Sequence, residues 1–276
     1  MNVSVLGCGW LGLPLAAELV ARGHSVRGSV RRAEKLGALA AAGIRGHRLE
    51  LSPAPEGDGE GFFDADTLVI TLPPKRSEAG ANTRYPAQIA VLLAATPAGT
   101  RLVFTGSTSV YPELNRTVTE ADAGNIDDTT DRAAGDTSIS DSGRGILAAE
   151  ELLRARGGTI LRLAGLYGYD RQPGRRLSGR PSTGGETPVN LVHCDDVLRV
   201  LVRVIEERLE DTTLNVCADL HPTRRAVYTR QAERFGFAPP RFVPPHEKTF
   251  KRVDNDKLKK TLGFSLTYAD PLEDAP

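Results

Sequence analysis

Residues 1–12 read MNVSVLGCGWLG, an apolar run that ends in a glycine-rich turn. The three glycines, Gly7, Gly9 and Gly12, have the spacing GxGxxG and stand between a predicted strand and a predicted helix. In this context the first glycine permits a tight turn, the second lets the backbone approach a pyrophosphate, and the third permits close packing of helix on strand. The helix N-terminus then faces the anion. The stretch predicts a dinucleotide site at Gly7, Gly9, Trp10, Leu11 and Gly12.

Short apolar runs alternate with helix-length segments downstream of this turn, a pattern typical of βαβ units in a parallel sheet. Strands are predicted near Asn2–Leu6, Ser25–Ser29, Gly46–Leu49, Thr67–Leu72, Arg101–Thr105 and Thr159–Leu163. Helices are predicted at Leu11–Arg22, Ala33–Ala42, Tyr85–Ala95 and Ile146–Arg156. The fold class is therefore expected to be α/β, a Rossmann-type doubly wound parallel sheet.

The regular alternation loosens after about Leu166. A loop rich in glycine, proline and arginine follows, then a predicted helix near Asp195–Leu209 and a strand near Thr213–Val216. We expect residues 1–165 to form the NAD(P)-binding domain. Residues 166–276 are expected to form a small C-terminal substrate lobe, partly interleaved with the Rossmann core.

Composition narrows the classes of partner and of site. Lys+Arg and Asp+Glu number 35 each, so no global field gathers nucleic acid or an anionic membrane. The apolar N-terminus has no Lys or Arg before Arg22, unlike a signal peptide. Cys8, Cys194 and Cys217 form no CxxC pair and lack neighbouring histidines, so no metal site is predicted and a reducing compartment fits. We expect a cytoplasmic protein that binds a small-molecule substrate, no nucleic acid and no membrane.

The end of the second predicted strand bears on the choice of cofactor. An NAD site usually has a carboxylate here for the ribose 2′-hydroxyl, but residues 26–32 read VRGSVRR. Ser29, Arg31 and Arg32 could instead bind a 2′-phosphate through charge-assisted hydrogen bonds. NADP is therefore favoured, with NAD as the alternative; in the competing interpretation both arginines are simply solvated at a helix start.

Two further strand ends complete the predicted cofactor site, because ligands of open α/β sheets bind outside the carboxyl ends of the strands. Glu50 and Leu51 end the third strand and are expected to meet the adenine. Leu72, Pro73 and Pro74 end the fourth and are expected to lie under the nicotinamide ribose.

Four stretches of the chain match, in order, the motifs of one family. They are FTGSTSVY at 104–111 (SSxxVY), RLAGLYG at 162–168 (LRxxxxYG), NLVHCDDV at 190–197 (xxVHVDDV), and KRVDNDKLKKTLGF at 251–264 (K.VDNSKLKK.LGF). They resemble the extended short-chain dehydrogenase/reductases, the NAD(P)-dependent epimerase/dehydratase-like group. The resemblance implies nicotinamide chemistry on a sugar-like substrate, and it is compatible with a homodimer.

The catalytic pair of that family is missing. Its members use a tyrosine and a lysine spaced YxxxK just before a helix that reads LAAEE. Aligned on Leu147–Glu150, this chain has Ser142 in place of the tyrosine and Ile146 in place of the lysine. The remaining candidates for proton transfer are Ser107, Ser109 and Tyr111, although an unassisted tyrosine is a poor base at neutral pH.

Arginines dominate the loop that the resemblance places along the substrate cleft. Arg171, Arg175, Arg176 and Arg180 fall within ten positions, and guanidinium forks suit phosphate or carboxylate. A solvated basic loop is an equally good interpretation.

The pattern His193-Cys194-Asp195-Asp196 could indicate an acid/base pair. An N-terminal cap from Asp195 beside a packed His193 is the favoured interpretation.

Three functions remain open from the sequence. The first is an NAD(P)-dependent oxidoreductase or epimerase with an atypical active site, acting on a small polar substrate that is phosphorylated or sugar-like. The second is a non-catalytic sensor of NADP(H). The third is an interaction scaffold with a vestigial dinucleotide site.

Overall fold

The computed structural model describes residues 1–51, 55–74, 80–124 and 139–273. Its strands are β1 Asn2–Leu6, β2 Ser25–Val30, β3 Arg45–Leu51, β4 Pro55–Gly57, β5 Thr67–Ile70, β6 Arg101–Ser107, β7 Arg116–Val118, β8 Thr159–Leu163, β9 Gly165–Tyr167, β10 Pro181–Ser182, β11 Leu191–His193, β12 Thr213–Val216, β13 Arg241–Phe242 and β14 Lys251–Val253. Its α-helices are α1 Gly12–Ala21, α2 Leu36–Ala41, α3 Ala81–Ala94, α4 Asp141–Arg154, α5 Cys194–Glu206, α6 Arg224–Phe235 and α7 Asp256–Leu262.

The large sheet has the strand order β12-β8-β6-β5-β1-β2-β3-β4. Strand β1 pairs in parallel with β2 on one side and with β5 on the other, so the chain leaves β1 in one direction and later returns to its opposite edge. The carboxyl end of β1 is thus a topological switch point, where open α/β sheets bind ligands. This architecture confirms the predicted α/β, doubly wound fold.

The central strands are apolar because they are covered on both faces. Val3, Val5, Leu68, Val69 and Ile70 are completely buried. Parallel strands flanked by helices on both sides have this continuous hydrophobic character, unlike the alternation of a half-exposed sheet.

Several predicted boundaries are corrected by the structure. Strand β5 ends at Ile70 rather than Leu72, and two residues later Pro73 and Pro74 follow, which cannot donate to a ladder. Helix α4 begins at Asp141 rather than Ile146, because the Ser140 hydroxyl accepts a hydrogen bond from Gly143 N–H and caps it. The helix predicted at Ala33–Ala42 is a 3₁₀ turn followed by the short α2.

The chain divides into two compact units whose segments alternate. The first comprises Met1–Val110, Ser140–Arg162 and Leu198–Thr213, and the second Tyr111–Ile139, Leu163–Val197 and Leu214–Pro276. The second unit holds three small parallel pairs, β7 with β14, β9 with β11 and β10 with β13. The division that we predict after residue 165 stays a prediction.

Among the described residues, no helix has both the length and the apolar character required to span a membrane.

Candidate functional site

The three glycines of the turn after β1 differ in what the fold requires of them. Gly7 has φ +101°, and a Cβ there would lie 2.7 Å from Leu72 Cδ2. A Cβ at Gly12 would lie 2.3 Å from the Gly7 carbonyl oxygen. A Cβ at Gly9 would meet nothing closer than that same oxygen, at 3.9 Å, and Gly9 is exposed. The fold therefore needs glycine at positions 7 and 12, whereas position 9 is open.

Two side chains hold this turn in place. Gly7 N–H donates to Ser29 Oγ at 2.9 Å, and Thr71 Oγ1 donates to the Gly7 carbonyl at 2.8 Å. Ser29 is only 2% exposed. Its placement corrects the predicted role as a 2′-phosphate ligand, because its hydroxyl is occupied with positioning Gly7 from within the sheet.

The turn leads into a helix end that suits an anion. Helix α1 has no side-chain cap and no acidic residue in its first turn, and Gly9 O accepts from Leu13 N–H. The partial positive charge of the helix N-terminus is therefore not offset by a carboxylate of its own. Trp10 is half-buried beside this end, and Leu11 is buried.

Arg31 and Arg32 lie just after β2, at the carboxyl edge of the sheet. Both are exposed, and neither side chain forms a hydrogen bond or ion pair within the described parts of the chain. Glu50, near the end of β3, is also exposed and lies opposite Glu56 of the antiparallel β4. These three side chains are exposed at the strand ends, and their role in binding a cofactor stays a prediction.

Two side chains of helix α3 hold the end of β3 and the segment that follows β5. The buried Tyr85 hydroxyl donates to the Leu72 carbonyl at 2.6 Å, and Gln88 Nε2 donates to the Leu51 carbonyl at 2.7 Å. Burial raises the pKa of Tyr85, so its phenol stays a donor. Neither side chain is identified by the sequence analysis. Tyr85 positions the segment Leu72–Pro74, in which Pro73 is exposed and Pro74 half-buried, and Gln88 positions the end of β3.

The groups predicted to transfer a proton lie at the end of β6 and just after it. The Ser107 and Ser109 hydroxyls belong to the first unit, and the Tyr111 phenol belongs to the second. Ser109 N–H donates to Ser107 Oγ at 3.2 Å, and Ser109 Oγ is buried without a hydrogen-bond partner among the described residues. Tyr111 is 1% exposed, and its hydroxyl donates to Asn215 Oδ1 at 2.6 Å. The catalytic role predicted for Tyr111 is therefore corrected to a structural one, because its hydroxyl is enclosed.

Replacing Tyr111 with phenylalanine tests this correction. We expect the free energy of unfolding to fall by about 1–3 kcal/mol, because Asn215 Oδ1 loses its donor in a buried place. Dinucleotide affinity should not change. Chemical denaturation and calorimetry measure the two quantities, and a loss of affinity without a loss of stability would restore Tyr111 as a site residue.

The positions of the missing pair lie on α4. Ser142 is in the first turn, with its hydroxyl 3.2 Å from the Ser140 hydroxyl. Ile146 is 1% exposed, and its Cγ2 would be 3.7 Å from a Cβ at Gly106 of β6. An apolar group thus occupies the helix face where the family has its lysine.

All four arginines predicted to bind substrate are exposed, in the second unit. Arg175 Nη1 donates to Gln172 Oε1 at 2.9 Å, within the same loop. Both interpretations of the loop, as an anion site and as a solvated surface, fit this placement.

The His193 segment forms a hydrogen-bonded cluster at the start of α5. Asp195 N–H donates to His193 Nδ1, so the histidine caps the helix and Asp195, which we predict as the cap, does not. The Asp195 carboxylate instead accepts from the Tyr169 and Tyr268 hydroxyls, at 2.5 and 3.3 Å. His193 is packed against the Tyr268 ring, at 3.8 Å between ring centroids. Among the described residues no cluster suited to a metal ion is present.

Comparison with known proteins shows where the chain belongs. It is 37% identical to Protein YeeZ of Escherichia coli (strain K12) in an alignment 279 residues long, gaps included, that covers 98% of this chain and 97% of that protein. The chain belongs to the YeeZ family. Protein YeeZ of Escherichia coli O157:H7 matches equally well, whereas no family model matches the chain.

Solved structures resemble this YeeZ-family protein over nearly its whole length. A functionally unknown conserved protein from Silicibacter pomeroyi DSS has a TM-score of 0.73 and 23% identity, covering 99% of this chain and 95% of that one. UDP-glucuronic acid 4-epimerase from Bacillus cereus, in complex with NAD, has a TM-score of 0.75 and 17% identity, covering 99% and 96%. MoeE5, in complex with UDP-glucose and NAD, has a TM-score of 0.73 and 22% identity, covering 96% and 93%. These likenesses confirm, at the level of the fold, the resemblance to the epimerase/dehydratase-like short-chain dehydrogenase/reductases.

Proposed function

We propose that this YeeZ-family protein binds a nicotinamide dinucleotide at the Gly7–Gly12 turn and is an oxidoreductase of the epimerase kind. The observation that carries the proposal is Gly9, an exposed glycine that no neighbouring atom of the chain requires. A glycine at this place is explained by a ligand whose pyrophosphate approaches the backbone. The NAD complexes of the Bacillus cereus epimerase and of MoeE5, which share the fold, support the same conclusion.

NADP is the proposed form of the cofactor, with NAD as the alternative. Arg31 and Arg32 support this choice, because they lie at the carboxyl edge of the sheet and their side chains have no partner among the described residues. Two guanidinium groups can hold a 2′-phosphate through bidentate hydrogen bonds.

The double variant Arg31→Ala/Arg32→Ala tests the choice. We expect it to bind NADP about 10²- to 10⁴-fold more weakly, since the two arginines together lose at least two hydrogen bonds to a charged group, each worth about 1.5–3 kcal/mol, and to bind NAD unchanged. Arg45→Ala is the matched control, because Arg45 is an exposed arginine at the opposite end of the sheet, where β3 begins. Equal losses for NADP and NAD would contradict the assignment.

A bound nicotinamide supplies hydride transfer, and the chain must then orient a substrate and exchange a proton. The residue available for orientation at the end of β6 is Ser107, whose hydroxyl can hydrogen-bond a substrate oxygen, whereas the Ser109 hydroxyl is buried. Serine hydroxyls do not titrate near neutral pH, and Ile146 supplies no charge to assist them. We therefore infer an atypical active site for a small polar substrate, phosphorylated or sugar-like. The predicted arginine loop, the homodimer and the cytoplasmic location remain parts of this proposal.

A sensor of NADP(H) without turnover is the second candidate. It is favoured by Ile146, which fills the lysine position with a buried apolar group, while the glycine turn leaves position 9 open to a ligand. A sensor needs only a difference in affinity between oxidised and reduced cofactor.

Calorimetric titration with NADP, NADPH, NAD and NADH in one buffer tests both candidates. Binding of the phosphorylated pair with similar affinities supports the oxidoreductase, and a preference of more than about 10-fold for one redox state supports the sensor. The proposed function is wrong if none of the four binds.

A further inference from the structure

Gln88 of helix α3 reaches across to the carboxyl end of β3. Its side-chain Nε2 donates to the carbonyl oxygen of Leu51, the last residue of that strand, at 2.7 Å. Both residues belong to the first compact unit, together with the glycine turn and the two arginines after β2. The contact joins residues 37 positions apart, at the edge of the sheet where open α/β folds bind their ligands.

The position of a bound base follows from the position of its ribose. In a doubly wound sheet, the end of the second strand binds the 2′ position of the adenosine ribose. Strand β3 is the neighbour of β2 in this sheet, with Arg48 opposite Val30. Because adjacent strands lie only about 4.8 Å apart, a base attached to that ribose would reach the end of β3, beside Gln88.

The Gln88 side chain is held in one orientation. It is half-buried, and its amide nitrogen must face Leu51, because a backbone carbonyl can only accept. Tyr85, three residues earlier on the same face of α3, donates to the Leu72 carbonyl at 2.6 Å, and the adjacent Ile89 is completely buried. The helix is thus anchored beside Gln88, and the carboxamide cannot turn over without losing its bond to Leu51.

Most of the hydrogen-bonding capacity of Gln88 is unused. A carboxamide has two N–H donors and an oxygen with two lone pairs. One N–H binds Leu51, whereas the second N–H and Oε1 form no hydrogen bond within the described parts of the chain. The side chain therefore presents a donor and an acceptor side by side in one plane.

This pair of groups matches the edge of adenine. Adenine carries its N6 amino group, a donor, next to the ring nitrogen N7, an acceptor, and glutamine binds the two together. A base with an oxygen at position 6 would instead set an acceptor against Gln88 Oε1. Glu50, exposed beside Leu51, is also only an acceptor when ionised, so it disfavours such a base as well.

We propose that Gln88 is a specificity-determining residue that selects adenine as the base of the dinucleotide. Its Oε1 accepts from the N6 amino group and its second N–H donates to N7, while the Leu51 carbonyl holds the first N–H. The inference deepens the proposed function, on which it rests, by naming a residue that chooses the base. The competing interpretation is a structural Gln88 that only supports the end of β3.

Calorimetric titration with NADP and with nicotinamide hypoxanthine dinucleotide phosphate tests the proposal. The second compound carries an oxygen at position 6 of the base in place of the amino group. We expect the wild-type protein to bind NADP about 10- to 100-fold more tightly, the discrimination that a bidentate pair to one base provides. NAD and its hypoxanthine analogue form a second pair, which should give the same ratio.

Gln88→Lys separates base selection from structural support. Lysine keeps a donor for the Leu51 carbonyl but has no acceptor. We expect the preference to reverse in this variant, because the ammonium group can donate to an oxygen at position 6 but not to an amino group. Gln88→Met lacks both groups and should bind the two compounds equally. A purely structural Gln88 would change both affinities by the same factor and leave their ratio at the wild-type value.

Tyr85→Phe is the matched control, because it breaks the neighbouring hydrogen bond from the same face of α3. The ratio of the two affinities should stay at the wild-type value in this variant, and thermal unfolding checks the fold of each protein. A wild-type protein that binds both compounds equally overturns the proposal and leaves the cofactor site standing. A preference that is lost in Glu50→Ala and kept in Gln88→Met also overturns it. If no dinucleotide of either pair binds, the proposed function fails together with the inference.

Discussion

Replacing Gly9 with alanine is expected to weaken NADP binding about 10- to 100-fold while leaving the protein as stable as before. The added methyl group meets no protein atom closer than 3.9 Å, so the folded chain accepts it. A bound pyrophosphate that approaches this backbone would meet the methyl group, and steric overpacking costs about 1–3 kcal/mol. Calorimetry measures the affinity, and thermal unfolding measures the stability.

Gly12→Ala is the matched control for that result, because the same change at the same turn should act on the fold. Its Cβ would lie 2.3 Å from the Gly7 carbonyl oxygen and 2.8 Å from Thr71 Oγ1, so backbone must shift. We expect the free energy of unfolding of Gly12→Ala to fall by about 1–3 kcal/mol. Unchanged NADP affinity in a stable Gly9→Ala protein would show that the open side of Gly9 does not contact the cofactor.

Glu150→Gln is expected to destabilise the protein by about 3–5 kcal/mol, the cost of breaking a buried ion pair. Glu150 on α4 is completely buried, and the Arg162 side chain on β8 is 2% exposed. Arg162 Nη2 lies 2.7 Å from Glu150 Oε2, and Arg162 Nε also donates to the carboxylate. Glutamine has nearly the same shape but no charge, so Arg162 would stay buried without its carboxylate partner. Chemical denaturation at neutral pH gives the free energy of unfolding.

Two further variants separate charge from packing at this pair. Arg154 also pairs with Glu150, at 2.6 Å, but its side chain is 39% exposed, so Arg154→Met should cost no more than about 1 kcal/mol. The double variant Glu150→Leu/Arg162→Met removes both buried charges and should be much closer to wild type than Glu150→Gln. If the double variant is as unstable as Glu150→Gln, the loss of stability comes from altered packing and not from an unpaired buried charge.

Most of the fold can be predicted from the chain because its signals are local. The turn after β1 is predicted by the spacing of its glycines. That spacing follows from steric contacts within the first twelve residues and with the adjacent strand. The apolar runs of β1 and β5 identify strands that are buried on both faces. Boundaries are less accurate, since α4, capped by Ser140, begins five residues before the helix that its apolar pattern indicates.

The chemistry of individual site residues depends on partners that lie far away in sequence. Ser29 has a hydroxyl suited to phosphate, but the strand pairing of β1 with β2 buries it against Gly7. Tyr111 is the only phenol directly after β6, and Asn215, more than one hundred residues later, encloses it.

The sequence by itself determined the sheet, the glycine turn, the missing tyrosine and lysine, and the arginines after β2. These features rest on periodicity, on steric rules within a few residues, and on the identity of side chains at fixed spacing. Only the tertiary structure decided that Thr71, Tyr85 and Gln88 hold the strand ends. It also decided that Tyr169 and Tyr268 donate to the Asp195 carboxylate. These hydrogen bonds join residues that only the fold brings together, and the spacing of residues along the chain does not determine the distances between them.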